Sequence, residues 1–107
     1  MIEMKTIYIA GQMTGLPDYG RARFADAARD LAERYPDSAI INPADNFSGN
    51  ISLEYSHYMR MSIHQLLMVD GICMLPGWEK SSGASLEYEI AKNLNLTVIY
   101  YESHDAK

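Results

Sequence analysis

Residues 72–94 read ICMLPGWEKSSGASLEYEIAKNL, which is an apolar run, a loop and then a helical pattern. One face of the predicted helix carries four residues at the spacing i, i+3, i+4 and i+7, namely Glu87, Ile90, Ala91 and Leu94. A carboxylate on an apolar stripe costs desolvation free energy unless it has a partner or a function. Because open α/β sheets bind ligands beyond the carboxyl ends of their strands, this segment predicts a ligand site at Glu87.

The rest of the chain repeats the alternation of short apolar strands with amphipathic helices. The strand patterns cover residues 6–10, 38–42, 71–75 and 97–101. The helical patterns between them centre on residues 24–35, 55–67 and 83–94. This order predicts one α/β domain over residues 1–107, Rossmann-like or flavodoxin-like, with helices on both faces of the sheet.

The strand connections predict a mostly parallel four-stranded sheet in the order 2-1-3-4. The topological switch point then lies between the first and third strands. It brings together the loops after Ala10 and Leu75, with the Asn42-Pro43 corner beside them. We therefore expect ligand-contacting residues at this edge.

Composition and net charge argue against some classes of function. The chain has 107 residues, a net charge of −5 and no cluster of Lys and Arg. Binding to a nucleic acid polymer is therefore not expected, because such affinity comes from neutralising phosphates. A small anionic ligand stays possible, since helix N-termini can hold a phosphate. The N-terminus does not resemble a signal peptide and no segment is long enough to span a membrane, so we expect a cytoplasmic protein.

Several short segments, in this order along nearly the whole chain, carry a family resemblance: residues 7–11, 13–15, 42–43, 70–72 and 75–87. They read IYIAG, MTG, NP, DGI and LPGWEKSSGASLE. With these motifs the sequence resembles the nucleoside 2-deoxyribosyltransferase-like superfamily. Within it, the chain is most similar to a small branch of phage and bacterial proteins (DUF4406-like).

The resemblance implies chemistry on the N-glycosidic bond of deoxynucleosides or their 5′-monophosphates. In such enzymes a Gly-x-x-x-Glu element supplies a glutamate nucleophile, which corresponds to Gly83 and Glu87 here. The position of Ser81 would contact sugar or phosphate, and a tyrosine matching Tyr8 contacts the glutamate. The resemblance implies no metal and no organic cofactor. It also implies a homo-oligomer with a small-molecule nucleoside or nucleotide as ligand.

The sequence departs from these enzymes at Ser62. They have an aspartate eight residues before the acid that precedes the third strand, and this acid assists the departing base. Counting back from Asp70 gives Ser62, and a serine is no general acid at neutral pH. Three functions therefore stay open: an N-glycosidase or deoxyribosyltransferase, a non-catalytic protein that sequesters a nucleotide-derived signalling ligand, and a structural or regulatory subunit with a vestigial cleft.

For Glu87 itself three roles are open: nucleophile, acceptor for a ribose hydroxyl, or structural acid. The helix dipole would favour its ionised form, and burial would favour its protonated form. The other candidate binding residues form one set: Tyr8, Gly11, Gln12, Met13, Thr14, Gly15, Asn42, Arg60, Ser62, Trp78, Ser81, Ser82 and Gly83.

Several members of this set also have a structural reading. Tyr8 lies within a strand and could be a core residue. The glycines in residues 11–15 suit a tight turn, and Ser81 or Ser82 suits a helix cap. Trp78 would either stack on a base or cover the sheet edge. Arg60 would either reach a phosphate or lie in solvent.

Overall fold

The computed structural model describes residues 4–13, 15–47 and 55–102. Within these residues strands and helices alternate: β1 (Thr6–Ala10), α1 (Arg21–Arg34), β2 (Ala39–Ile41), α2 (Tyr55–Leu66), β3 (Gly71–Met74), α3 (Ser82–Asn93) and β4 (Thr97–Tyr100). Short 3₁₀ helices cover Pro17–Gly20, Pro43–Phe47 and Trp78–Lys80. No helix in the described part of the chain is long and apolar enough to cross a membrane.

The four strands form one parallel sheet in the order β2-β1-β3-β4, which confirms the predicted fold class and strand order. The central strand β1 pairs Tyr8 with Ile41 on one side and with Ile72 on the other. Since side chains alternate along a strand, neighbouring residues of β1 point to opposite faces of the sheet. Tyr8 therefore lies on the face opposite Ile7 and Ile9.

The face with Ile7 and Ile9 packs against α1. Its buried cluster includes Phe24, Ala27 and Leu31 of that helix and the thiol of Cys73. Burial raises the pKa of Cys73 to about 12, so this thiol is protonated at neutral pH. The sulfur is thus part of the core.

The opposite face packs against α2 and α3. Leu66 of α2 and two alanines of α3, Ala84 and Ala91, lie in one buried cluster with Tyr8 and Ile72. The small alanine side chains let α3 approach the sheet closely. This face places a tyrosine hydroxyl between two helices.

The ends of α3 show where the predicted apolar stripe was right and where it was wrong. Ser81 caps the N-terminus, because its hydroxyl accepts a hydrogen bond from the Ala84 amide at 3.1 Å. Glu87 and Ala91 are buried as predicted. Leu94 is 46% exposed, because it follows the last helical residue and no longer lies on the inner face.

Asp70 has a structural role at the start of the sheet. Its carboxylate accepts hydrogen bonds from the backbone amides of Lys5, at 2.9 Å, and of Thr6, at 3.3 Å. It therefore fixes the start of β1 beside the start of β3.

Candidate functional site

Glu87 projects from α3 toward β1 and is 5% exposed. The hydroxyl of Tyr8, which is itself fully buried, donates a hydrogen bond to Oε2 of Glu87. Within the described residues no salt bridge involves Glu87. A buried carboxyl group is thus held by a hydroxyl donor rather than by a cation.

Ser62 extends this arrangement from α2. Its side chain is fully buried and hydrogen-bonds the hydroxyl of Tyr8. A phenol has one proton, and Tyr8 gives that proton to Glu87, so Ser62 is the donor in its bond to Tyr8. Ser62, Tyr8 and Glu87 therefore form a continuous hydrogen-bonded chain from α2 through β1 to α3, which we call the Glu87 relay.

Burial controls the protonation of the relay. It raises the pKa of Glu87 from 4.5 to about 7, and the hydrogen bond from Tyr8 offsets this rise only in part. Glu87 is the sixth residue of α3, beyond the first turn, where the helix dipole acts most strongly. Burial and then the charge of Glu87 raise the pKa of Tyr8 as well, so the phenol keeps its proton.

The loop after β1 meets α2 beside the relay. Tyr58 lies one helical turn before Ser62, and its hydroxyl contacts the sulfur of Met13 at 2.8 Å. Both side chains are nearly fully buried. Tyr58 also acts electrostatically on Tyr8, raising its pKa. Three predicted site residues, Tyr8, Met13 and Ser62, thus lie close to one another.

Between this loop and α1 the backbone adopts an uncommon conformation. Asp18 and Tyr19 have φ of 50° and 55°, and Gly20 continues with φ of 74°. Left-handed conformations cost free energy for residues other than glycine, and such strain is concentrated at functional sites. Gly15, with φ of 91°, also suits glycine alone.

Other predicted site residues have local structural roles. Oδ1 of Asn42 accepts a hydrogen bond from the Ala44 amide at 3.0 Å, which closes a turn after β2. A Cβ atom at Gly11 would lie 2.9 Å from Cβ of Leu75, so the glycine lets β1 and β3 pack closely at their ends. Ser81 is occupied as the cap of α3.

The remaining candidates differ in exposure. Trp78 is half-buried and packs its ring on Tyr88, with ring centroids 4.4 Å apart. Arg60 is exposed and lies on a different face of α2 from Ser62. Ser82 is exposed, Gly83 is buried and Gln12 is half-buried. Thr14 lies outside the described residues.

Sequence reasoning missed two aromatic residues, Tyr58 and Tyr88. Tyr58 precedes Ser62 by four residues, so helical spacing places both on one face. Tyr88 follows Glu87 directly, and only the path of the loop at residues 76–81 brings Trp78 onto its ring. Helical spacing in the sequence could have indicated Tyr58, whereas Tyr88 could be identified only from the tertiary structure.

A separate cleft of about 240 Å³ opens on the α1 face of the sheet. Its lining residues are Arg23, Asp26, Leu75, Pro76 and Tyr101. None of the predicted site residues lines it. Within the described ranges, no three His, Cys, Asp or Glu side chains lie close enough to hold a metal ion.

A comparison with protein-family models identifies the family to which the chain belongs. The model described as "Domain of unknown function (DUF4406)" matches residues 5–100, and the chain belongs to this family. No curated protein matches the sequence significantly. The family description states neither an activity nor a ligand, so the resemblance to deoxyribosyltransferases stays a prediction.

Proposed function

We propose that this member of the DUF4406 family acts on the N-glycosidic bond of a nucleoside or nucleotide, with Glu87 as the nucleophile. One observation carries the proposal: among the described residues, buried Glu87 has the hydroxyl of Tyr8 as a partner and forms no salt bridge. Burying a carboxyl group without an ion pair costs free energy, so a fold without a use for it would gain stability by losing it.

The chemistry follows from the position and protonation of Glu87. When the N-glycosidic bond breaks, the base leaves with the bonding electrons and takes a proton from water. The oxocarbenium-like sugar that remains is stabilised by an ionised carboxylate or captured by it as a glycosyl-enzyme intermediate. With its pKa raised to about 7, Glu87 is ionised in roughly half the molecules at neutral pH. Tyr8 keeps one carboxylate oxygen hydrogen-bonded and leaves the other for the sugar carbon.

Water or a second base then completes the reaction. If water attacks the intermediate, the product is free sugar and the protein is a hydrolase. If another base attacks it, the product is a new nucleoside and the protein is a transferase. Neither outcome requires a metal or an organic cofactor. A cytosolic location suits this proposal, because free nucleotides are found there.

The test is release of base from a substrate panel. Wild-type protein is incubated with the four deoxynucleosides, their 5′-monophosphates and the matching ribonucleosides, and free base is measured by chromatography. The proposal predicts release from at least one substrate, abolished in Glu87→Ala. No release from the whole panel, or equal release by Glu87→Ala, contradicts it.

A second candidate function is capture of a nucleotide-derived ligand without chemistry. The observation that favours it is the engagement of Ser62 with Tyr8, because the position that matches the leaving-group acid then offers no proton to a base. In this case Glu87 would accept a hydrogen bond from a ribose hydroxyl.

Native mass spectrometry of gently purified protein distinguishes capture from catalysis. A retained nucleotide that stays intact for hours supports capture, and its absence together with base release supports catalysis.

We also propose a homo-oligomer. Exposed apolar side chains occur on or near α2 and α3, among them Met61, Leu67, Met68 and Leu86. Leu67, which the helical pattern placed on the inner face of α2, is 56% exposed because it follows the end of that helix. Size-exclusion chromatography with light scattering tests this assembly, and a monomeric mass contradicts it.

A further inference from the structure

We infer that Ser62 is a positioning residue that acts on Glu87 through Tyr8, rather than a group that contacts the substrate. This inference deepens the proposed function, because it gives the residue that replaces the expected acid a different role at the same site. Its test reads the protonation of Glu87 directly and needs no turnover.

The geometry leaves Ser62 no direct route to a ligand. Its side chain is fully buried, and so is Tyr8, the group that it contacts. Glu87 keeps a small exposed edge at 5%. Of the three residues of the relay, Glu87 is the one with any exposed surface, so a ligand that contacts the relay is expected to do so at Glu87 rather than at Ser62.

The hydrogen-bond inventory explains what Ser62 contributes. Tyr8 has one proton and donates it to Glu87, so its oxygen is free to accept the proton of Ser62. Accepting that bond polarises the phenol and makes it a stronger donor to the carboxylate. It also fixes the phenol proton toward Oε2 of Glu87, so that in the proposed reaction the other carboxylate oxygen is the one that meets the sugar.

Among the residues that the structure describes, the ionisable groups that act on the relay are Tyr8 and Glu87 themselves and Tyr58 of α2. Tyr8 from β1 is the group that hydrogen-bonds Glu87, and Tyr58 from α2 acts electrostatically on Tyr8. Tyr8 keeps its proton near neutral pH, because burial and the charge of Glu87 raise its pKa above the ordinary value. A change in the titration of Glu87 on mutating Ser62 therefore reports on the relay itself.

The experiment is a double-mutant cycle read by carbon-13 NMR of the glutamate carboxyl groups. Glu87→Gln assigns the resonance, and the pKa of Glu87 is measured in wild type, Ser62→Ala, Tyr8→Phe and the double variant. We expect a rise of roughly one unit in Tyr8→Phe, because a hydrogen bond to the charged form is lost. We expect a rise of about half a unit in Ser62→Ala, since its influence is indirect.

The decisive result is the double variant. Because Ser62 acts through Tyr8, adding Ser62→Ala to Tyr8→Phe is expected to change the pKa no further. In Ser62→Thr, which keeps the hydroxyl, the pKa of Glu87 is expected to equal that of wild type. In Ser62→Cys, whose thiol is slightly larger than the hydroxyl and donates weakly, it is expected to equal that of Ser62→Ala. If Ser62→Ala fails to fold, Ser62→Cys takes its place in the cycle.

An unchanged pKa in Ser62→Ala overturns the inference and leaves Ser62 as a serine that bonds its own helix. Additive shifts in the double variant also overturn it, because they require a path that bypasses Tyr8. These outcomes are independent of the substrate panel. If no base is released but the double variant has the same Glu87 pKa as Tyr8→Phe, the proposed catalysis fails and the positioning role stands.

Discussion

The two faces of the sheet bury an acid in different ways. On the α1 face, the side chain of Asp30 is 11% exposed and lies 3.2 Å from the guanidinium of Arg34. The Tyr101 hydroxyl also hydrogen-bonds it. On the other face, Glu87 has the hydroxyl of Tyr8 and, within the described residues, no salt bridge. An acid in an ion pair holds parts of a fold together, whereas a buried acid without an ion pair marks a candidate site.

The largest expected effect separates the two acids by activity. Once the substrate panel has identified a substrate, Glu87→Gln is expected to lower kcat/KM by about 10³-fold or more, because an amide is no nucleophile. The matched control, Asp30→Asn, is expected to stay within about threefold, since it changes only a structural pair. Steady-state base release at pH 8 measures both. A comparable loss in the two variants would show that the contrast between the faces has no functional meaning.

The second effect concerns stability against pH. The folded state holds Glu87 neutral up to about pH 7, while the unfolded chain ionises it from about 4.5. The stabilisation is therefore complete below pH 4.5 and is lost as pH rises through 7. The loss from this group amounts to about 3 kcal/mol.

Urea unfolding between pH 4.5 and 8 measures this dependence. In Glu87→Gln the pH-dependent contribution is expected to disappear, and above pH 7 the variant should be more stable than wild type. The same series in Asp30→Asn is the control, and it should keep the Glu87 contribution. Parallel curves for wild type and Glu87→Gln would refute the assignment.

A third effect concerns the stability contributed by the two glycines that follow β1. Gly11→Ala is expected to destabilise the protein by about 1–3 kcal/mol, because the new methyl group would overlap Leu75 at the ends of β1 and β3. Gly15→Ala is expected to cost about 1 kcal/mol through its positive φ alone. Chemical denaturation measures both values. An unchanged stability in Gly11→Ala would leave ligand contact as the reason for this glycine.

The sequence was sufficient to predict the sheet and the buried position of Glu87. Alternating strand and helix patterns were sufficient for the order β2-β1-β3-β4, because few connections are compatible with parallel strands. The spacing of Glu87 with Ala91 placed the acid on the buried side of α3. Periodicity failed at Leu67 and Leu94, which both follow a helix end, where the inner face no longer continues.

The Glu87 relay could not be predicted from the sequence, because it joins three segments that are distant along the chain. The bond between Tyr8 and Glu87 entered only through the family resemblance, and the contact of Ser62 with Tyr8 did not enter at all. The left-handed turn at Asp18 and Tyr19 also lacked a signal, because neither residue requires such a conformation. Its position follows from packing: Tyr19 lies against the α1-side core.

The smallest effect is on the α1 face. Arg34→Ala is expected to reduce stability by about 0.5–1 kcal/mol, because its bond to Asp30 is partly exposed. Its second contact, at 3.3 Å to the carbonyl oxygen of Glu102, adds little. Thermal unfolding in low and high salt measures this change, and high salt should reduce it. A loss of several kcal/mol would mean that the pair on this face supports more of the fold than its exposure suggests.

One measurement tests the account most directly: the titration of the Glu87 carboxyl carbon in wild-type protein by NMR, with Glu87→Gln as the assignment control. The account predicts a midpoint near 7, where burial outweighs the hydrogen bond from Tyr8. A midpoint below about 5, in the range of ordinary carboxyl groups, would contradict it. Glu87 would then be solvated or paired, and the case for a reactive acid at this site would fail.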